Sequence, residues 1–201
     1  MTASGEPLLE FLEVMRRLRA ECAWKADQTH RSLARYLLEE THETLEAIDT
    51  GDADHLREEL GDLLLQVYFH AAIAEQDGLF DLDDVAAGVV AKMRRRNPHV
   101  FGDVTLDGGA DASAAEVNEL WESVKATEKQ RDRVTDGIAP TLPALLYADK
   151  VLDRLARAGR PAPTTGSGIG ERLLALVAEA HDAGLDPEQE LRDAVRVLLA
   201  D

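Results

Sequence analysis

Two leucine-rich stretches of this chain are each broken near the middle by a tight group of acids. One reads Glu39-Glu40-Thr41-His42-Glu43, the next Glu58-Glu59-Leu60-Gly61-Asp62. Both stretches carry apolar residues at three- and four-residue intervals, the repeat of an α-helix with one face turned inward. Leu33, Tyr36, Leu37, Thr41, Leu45 and Ile48 mark the face of the first, which Ser32 could cap. Leu56, Leu60, Leu63, Leu64, Val67 and Ala71 mark the second, running from about Asp54 to Glu75. Only Asp49 to Ala53 separates them, a link that favours an antiparallel hairpin. Glu40 and Glu43 stand three residues apart, as do Glu59 and Asp62, so each pair leaves its helix on one side. Four carboxylates can therefore meet beside leucine packing.

The rest of the chain follows the same helical repeat. Leu8, Phe11, Leu12, Met15 and Leu18 give a first helix after Pro7, and Glu21 to His30 reads as a loop. Asp81 or Asp83 opens another helix through Val85, Val89, Val90 and Met93, closing in the basic run Lys92, Arg94, Arg95, Arg96 before Asn97-Pro98. Ser113 with Glu116 forms a capping-box start for a helix carrying Val117, Leu120, Trp121 and Val124. Pro140 and Pro143 frame a short helix to about Arg157, and two more helices follow Ile169. No strand-like alternation lasts more than a few residues. The expected fold is all-α: a helical bundle over residues 1–131 and a helical tail over 132–201, with a flexible linker at 159–168.

Carboxylates crowded together repel, and some must stay protonated unless a cation joins them. Hard, oxygen-seeking Mg²⁺ accepts a few carboxylates plus waters and commonly bridges to substrate phosphates. Such a centre neutralises a triphosphate and lowers the pKa of a bound water. A bland reading competes: helical acids usually form a solvated face. Here they interrupt leucine-rich stretches in matching form on adjacent helices, and Gly61 inside the second costs about 1 kcal/mol relative to Ala. Glu39-x-x-His42 is also an element of di-iron carboxylate bundles, but those need a second copy, and the next helix offers Glu59-x-x-Asp62 instead.

The charge balance narrows the field. With 22 basic and 39 acidic residues the formal net charge is −17, which argues against nucleic-acid backbone or anionic membrane as a main partner. Cys22 is the sole cysteine, so no intrachain disulfide can form. Met1 to Glu10 lacks the pattern of a signal peptide, and no apolar run approaches the roughly 20 residues that span a bilayer. The expected setting is cytoplasmic.

The acidic pattern, taken with its surroundings, resembles the signature of the MazG family of nucleoside triphosphate pyrophosphohydrolases. The likeness extends to Gln28-Thr29-His30-x-Ser32-Leu33, to Glu58-Glu59-Leu60-Gly61-Asp62-Leu63-Leu64-Leu65-Gln66-Val67 and to Phe69-His70-Ala71. It continues in Lys92-Met93-x-Arg95-Arg96-x-Pro98-His99-Val100-Phe101 and Trp121-x-x-x-Lys125, covering roughly Leu8 to Leu146. The resemblance implies hydrolysis of a nucleoside triphosphate to the monophosphate and pyrophosphate, in nucleotide-pool housecleaning, by a homodimer. It implies that Glu40, Glu43, Glu59 and Asp62 hold Mg²⁺, with Mn²⁺ as a possible substitute, and that Glu43 or Glu40 takes part in proton transfer. Glu39 would support them from nearby. Lys92, Arg95, Arg96 and Lys125 would face phosphates, and Trp121 and Trp24 the nucleotide. Without the resemblance, Trp121 could equally anchor a core, Lys125 could be a solvated charge, and Trp24 could pack its loop.

Two departures stand out. The family's Cys-Pro-Trp-Asp loop is here Cys22-Ala23-Trp24-Lys25, and the position before Pro98 is Asn97 rather than His. Full-length relatives resemble two tandem bundles, and Ile169-Gly170-Glu171-Arg172-Leu173-Leu174 echoes Leu60-Gly61-Asp62-Leu63-Leu64-Leu65. Gly168 stands where Glu59 stands in the first copy, so the tail is expected to be a remnant without metal ligands.

Overall fold

The computed structural model describes residues 5–106, 109, 112–128, 132–160 and 166–199, and no strand occurs among them. The helices run in chain order α1 (Glu6–Glu21), α2 (Ala23–Ala26), α3 (His30–Thr50), α4 (Ala53–Gln76), α5 (Leu82–Arg96), α6 (Pro98–Phe101), α7 (Ala114–Glu128), α8 (Ala144–Arg157), α9 (Ile169–Asp182) and α10 (Pro187–Leu199). The chain divides into two compact units, Met1–Val124 and Lys125–Asp201. That boundary falls inside α7, a few residues before the break expected at 131, which itself lies outside the described residues. Most of the expected linker, 161–165, lies outside them too. Among the described residues no helix is long and apolar enough to cross a membrane.

Local chemistry explains the helix ends. Thr29, not Ser32, caps α3: its hydroxyl accepts from the Ser32 N–H at 3.1 Å, while the Ser32 hydroxyl accepts from the Thr29 N–H at 2.9 Å. Gly51, at φ 72°, closes α3 in the left-handed region that glycine tolerates. Asp52 then caps α4, accepting from the N–H groups of Asp54 and His55 at 2.9 and 3.1 Å. Those two bonds hold its carboxyl below the usual aspartate range. Asp81 and Asp84 cap α5 reciprocally. The stretch expected as one loop, Glu21 to His30, contains the single helical turn α2, and a second such turn, α6, follows Asn97.

The core of the first unit gathers on α4. Met15, Leu33, Tyr68, Phe69 and Ile73 form it, with Phe11, Leu18, Leu64 and Leu65 packed around. Phe11 stacks on Tyr68 at 4.7 Å, and the Tyr68 hydroxyl donates to the Leu8 carbonyl at 3.1 Å. Arg16 clamps Glu75 through two bonds of 2.8 and 3.0 Å, tying α1 to α4. Four consecutive residues, Ala71 to Ala74, are buried, so this end of α4 is enclosed on all sides.

The buried faces differ from those expected. In α3 the buried positions are Leu33, Thr44 and Ala47, whereas Leu37, Thr41 and Ile48 are exposed. In α4, Leu60 and Val67 are exposed, and Glu59 and Gln66 are buried instead. The reason is steric: two helices approach closely where side chains are small, as at Thr44 and Ala47, and bulkier neighbours are pushed to the flanks. In the second unit α8, α9 and α10 pack together. Leu152 and Val177 are buried there, His181 meets Asp149 at 2.8 Å, and Arg154 donates to the Val134 and Asp136 carbonyls at 3.1 and 2.8 Å.

Candidate metal centre

The antiparallel pairing of α3 and α4 brings the two acidic groups together at mid-helix. One carboxylate oxygen from each of Glu40, Glu43 and Glu59 lies within 4.8 Å of the others. Their environments are graded: Glu43 is exposed, Glu40 half-buried, and Glu59 buried at 8% exposure. Oε1 of Glu59 lies 3.1 Å from His55 Nε2, while Oε2 is buried without a hydrogen-bond partner. Burial, foremost, pushes the Glu40 carboxyl above the usual glutamate range. The charges of Asp62 and Glu43, a hydrogen bond with Glu43, and the charge of Glu59 add to this. Asp62 is half-buried and lies outside the group of three, yet its charge reaches Glu40.

This donor set suits a hard cation. Mg²⁺ holds oxygens at about 2.1 Å, hence about 3 to 4.2 Å from one another, so small torsional changes would close the triangle onto one ion. Two full charges 4.8 Å apart repel by about 3.5 kcal/mol at an effective dielectric of 20, and a divalent ion reverses that sign. A buried carboxylate oxygen without a partner is costly unless something binds it. Glu59 Oε2 is such an atom. The residues present therefore fit a divalent ion.

The other expected site residues fall into separate groups. Lys92 and Arg95 lie in the last turns of α5, and the Arg96 guanidinium sits over the Trp121 ring at 4.7 Å, joining α5 to α7. Lys125 is the first residue of the second unit. Glu39 is exposed one position before the cluster. Trp24, 53% exposed, meets Tyr36 edge-on at 6.4 Å and carries the Lys25 ammonium over its ring at 5.3 Å.

Three features escaped the sequence reading. His55 lies against Glu59, a pairing signalled only by their four-residue spacing. Arg19, 9% exposed, donates to the carbonyls of Lys25, Ala26 and Gln28 and to Gln76 Oε1, pinning the loop that carries Trp24. Nothing in the local pattern of α1 marks it for that part. His30 and His70 stack with rings 5.0 Å apart and share a hydrogen bond of 2.7 Å between their Nδ1 atoms. Burial, then the charge of His30, lowers the His70 pKa.

The family model of the MazG nucleotide pyrophosphohydrolase domain matches residues 28–101, the segment from the α3 cap through α6. The chain is 45% identical over 199 residues to an uncharacterized 26.1 kDa protein of Streptomyces cacaoi, spanning 96% of this chain and 80% of that one. It is 42% identical over 193 residues to the nucleoside triphosphate pyrophosphohydrolase of Mycobacterium tuberculosis, spanning 95% of this chain but 55% of that protein. The protein of the same name from Escherichia coli K12 is 39% identical over 195 residues, covering 91% of this chain and 72% of its own length. The chain thus spans about half the length of the mycobacterial relative and nearly three quarters of the enterobacterial one.

Proposed function

The chain belongs to the MazG family of nucleotide pyrophosphohydrolases, and on that basis we propose that it cleaves nucleoside triphosphates to the monophosphate and pyrophosphate with Mg²⁺. The observation that carries the reading is the meeting of Glu40, Glu43 and Glu59 around a buried carboxylate oxygen that lacks a partner. Glu40, Glu43, Glu59 and Asp62 would hold the ion. Bound there, Mg²⁺ would supply charge neutralisation and water activation at phosphorus.

The chain's own residues supply the rest. Glu43, the exposed member of the cluster, would take a proton from water at the rim. Buried Glu59 and half-buried Glu40 provide the fixed part of the donor set. Lys92, Arg95 and Arg96 offset phosphate charge, and Trp121, with Arg96 already over its ring, offers a stacking face for the base. Trp24, in the single turn α2 whose carbonyls Arg19 holds, would also meet the nucleotide.

The same reading takes the active form as a homodimer in the cytoplasm, clearing unwanted nucleotides. Supporting the dimer, Leu60 and Val67 on α4 and Val85, Val89 and Met93 along one line of α5 are all exposed apolar side chains. The tail from 132 onward is taken as a second copy without catalysis of its own.

The test is ³¹P NMR of products from a panel of ordinary and damaged triphosphates with Mg²⁺. Expected are monophosphate and pyrophosphate, with at least a 100-fold loss in the Glu43→Gln and Glu59→Gln proteins. Diphosphate plus orthophosphate, or near-wild-type release from either variant, would sink the proposal. Light scattering that gives the mass of one chain would remove the dimer.

A further inference from the structure

We infer that His55 is a positioning residue for the metal centre: it engages one oxygen of Glu59 so that the other is left for the cation. The inference rests on the metal reading above and deepens it. Asp52 caps α4 and fixes the N–H groups of Asp54 and His55, so His55 begins the helix in a defined orientation. Glu59 follows one turn later on the same side. Nε2 of His55 lies 3.1 Å from Glu59 Oε1, an ion-pair contact when the imidazole is protonated.

An exposed histidine–glutamate pair on a helix would ordinarily mean little, because water competes for both groups. Here the glutamate is 8% exposed, and the His55 imidazole lies against its Oε1. A buried carboxylate has several rotamers and, left to itself, would turn toward whatever solvent it could reach. The His55 contact favours the one in which Oε1 faces the imidazole and Oε2 stays inside, unpartnered. That arrangement presets single-oxygen coordination by Glu59, beside oxygens of Glu40 and Glu43 within 4.8 Å. Groups that orient a metal ligand in this way typically change metal affinity 10- to 100-fold when removed.

Mn²⁺ alone, titrated calorimetrically into the full chain without nucleotide, tests this. His55→Ala should bind Mn²⁺ about 10-fold more weakly. His55→Gln, whose amide can reach Oε1 in place of the imidazole, should stay within about threefold of wild type. In a Glu59→Gln background, His55→Ala should cost nothing further, because the group it orients is no longer a charged ligand. Melting curves in chelator separate these readings from a merely structural role, which would lower stability and leave Mn²⁺ affinity unchanged. Wild-type affinity in His55→Ala, with wild type binding normally, overturns the inference while leaving the metal reading intact. A wild-type chain that takes up no Mn²⁺ overturns both. Should His55→Ala fail to fold, His55→Leu replaces it, and Leu and Gln variants of equal affinity overturn the inference.

Discussion

Replacing Glu40 by glutamine should make the metal-free protein more stable and the metal-loaded protein no better than before. Glu40 lies within 4.8 Å of carboxylate oxygens on both Glu59 and Glu43. Against buried Glu59 the repulsion is about 3.5 kcal/mol at an effective dielectric of 20, and against exposed Glu43 about 1 kcal/mol, closer to the value in water. Water at the open side of the cluster and relaxation of the side chains roughly halve that sum. Glu40→Gln should then gain about 2 kcal/mol at pH 8 in chelator, a rise of about 4–8 °C in melting temperature for a chain of this size. Wild type, in Mn²⁺ at 100 times its dissociation constant, should gain about 2.7 kcal/mol, whereas Glu40→Gln should gain under a third of that. The pH dependence has a fixed sign. A carboxyl raised in the folded state binds protons that the unfolded chain has already lost, so its stabilisation is present below pH 4.5 and disappears as pH rises through the raised value. Wild type in chelator should therefore lose stability over that rise more steeply than Glu40→Gln. Scanning calorimetry decides it: a Glu40→Gln protein that melts below wild type in chelator, or gains the full increment from Mn²⁺, refutes the reasoning.

The histidine pair predicts the opposite slope. The folded-state pKa of His70 lies below 6.5, so its share of stability is whole above pH 6.5 and is lost as pH falls toward the lowered value, at up to about 1.4 kcal/mol per pH unit. Urea unfolding at pH 7.5 and 5.5 should show this loss, and His70→Gln should flatten it; an unchanged slope in the variant counts against the pairing. Arg19→Met keeps the buried stem but leaves the carbonyls of Lys25, Ala26 and Gln28 without their donor, at a cost of about 2–4 kcal/mol. Trypsin should then cut after Lys25 in the variant and spare wild type, and equal resistance would show that the loop holds without Arg19.

Much of this molecule could be read from its chain. Helix starts are legible at Ser113 with Glu116, a capping box within one turn, and in part at α5, where Asp81 rather than Asp83 is the cap, whereas at α3 the cap is Thr29 and not Ser32. The approach of the acids on α3 and α4 was legible from spacing, since a short link dictates the pairing. What stayed hidden depends on partners far along the chain. Leu60 and Val67 fit the apolar period of α4 as well as Ala71 does, and nothing local says that Thr44 and Ala47 leave room for the helices to close. Arg19 reads as one more surface cation until Gln76 and the loop at 25–28 fold onto it. Asp62 matched the pattern of Glu59, but it falls outside the closest group of oxygens.

The enclosure of Ala71 to Ala74 turns α4 into a cantilever. The helix is gripped at that end, and Glu59 rides about 18 Å up the shaft. A tilt of about 5° at the grip would swing Glu59 by about 1.5 Å, several times the roughly 0.5 Å within which a reactive constellation must be held. Enlarging one of those alanines, more than ten residues along the helix from Glu59, could thus silence the protein without unfolding it.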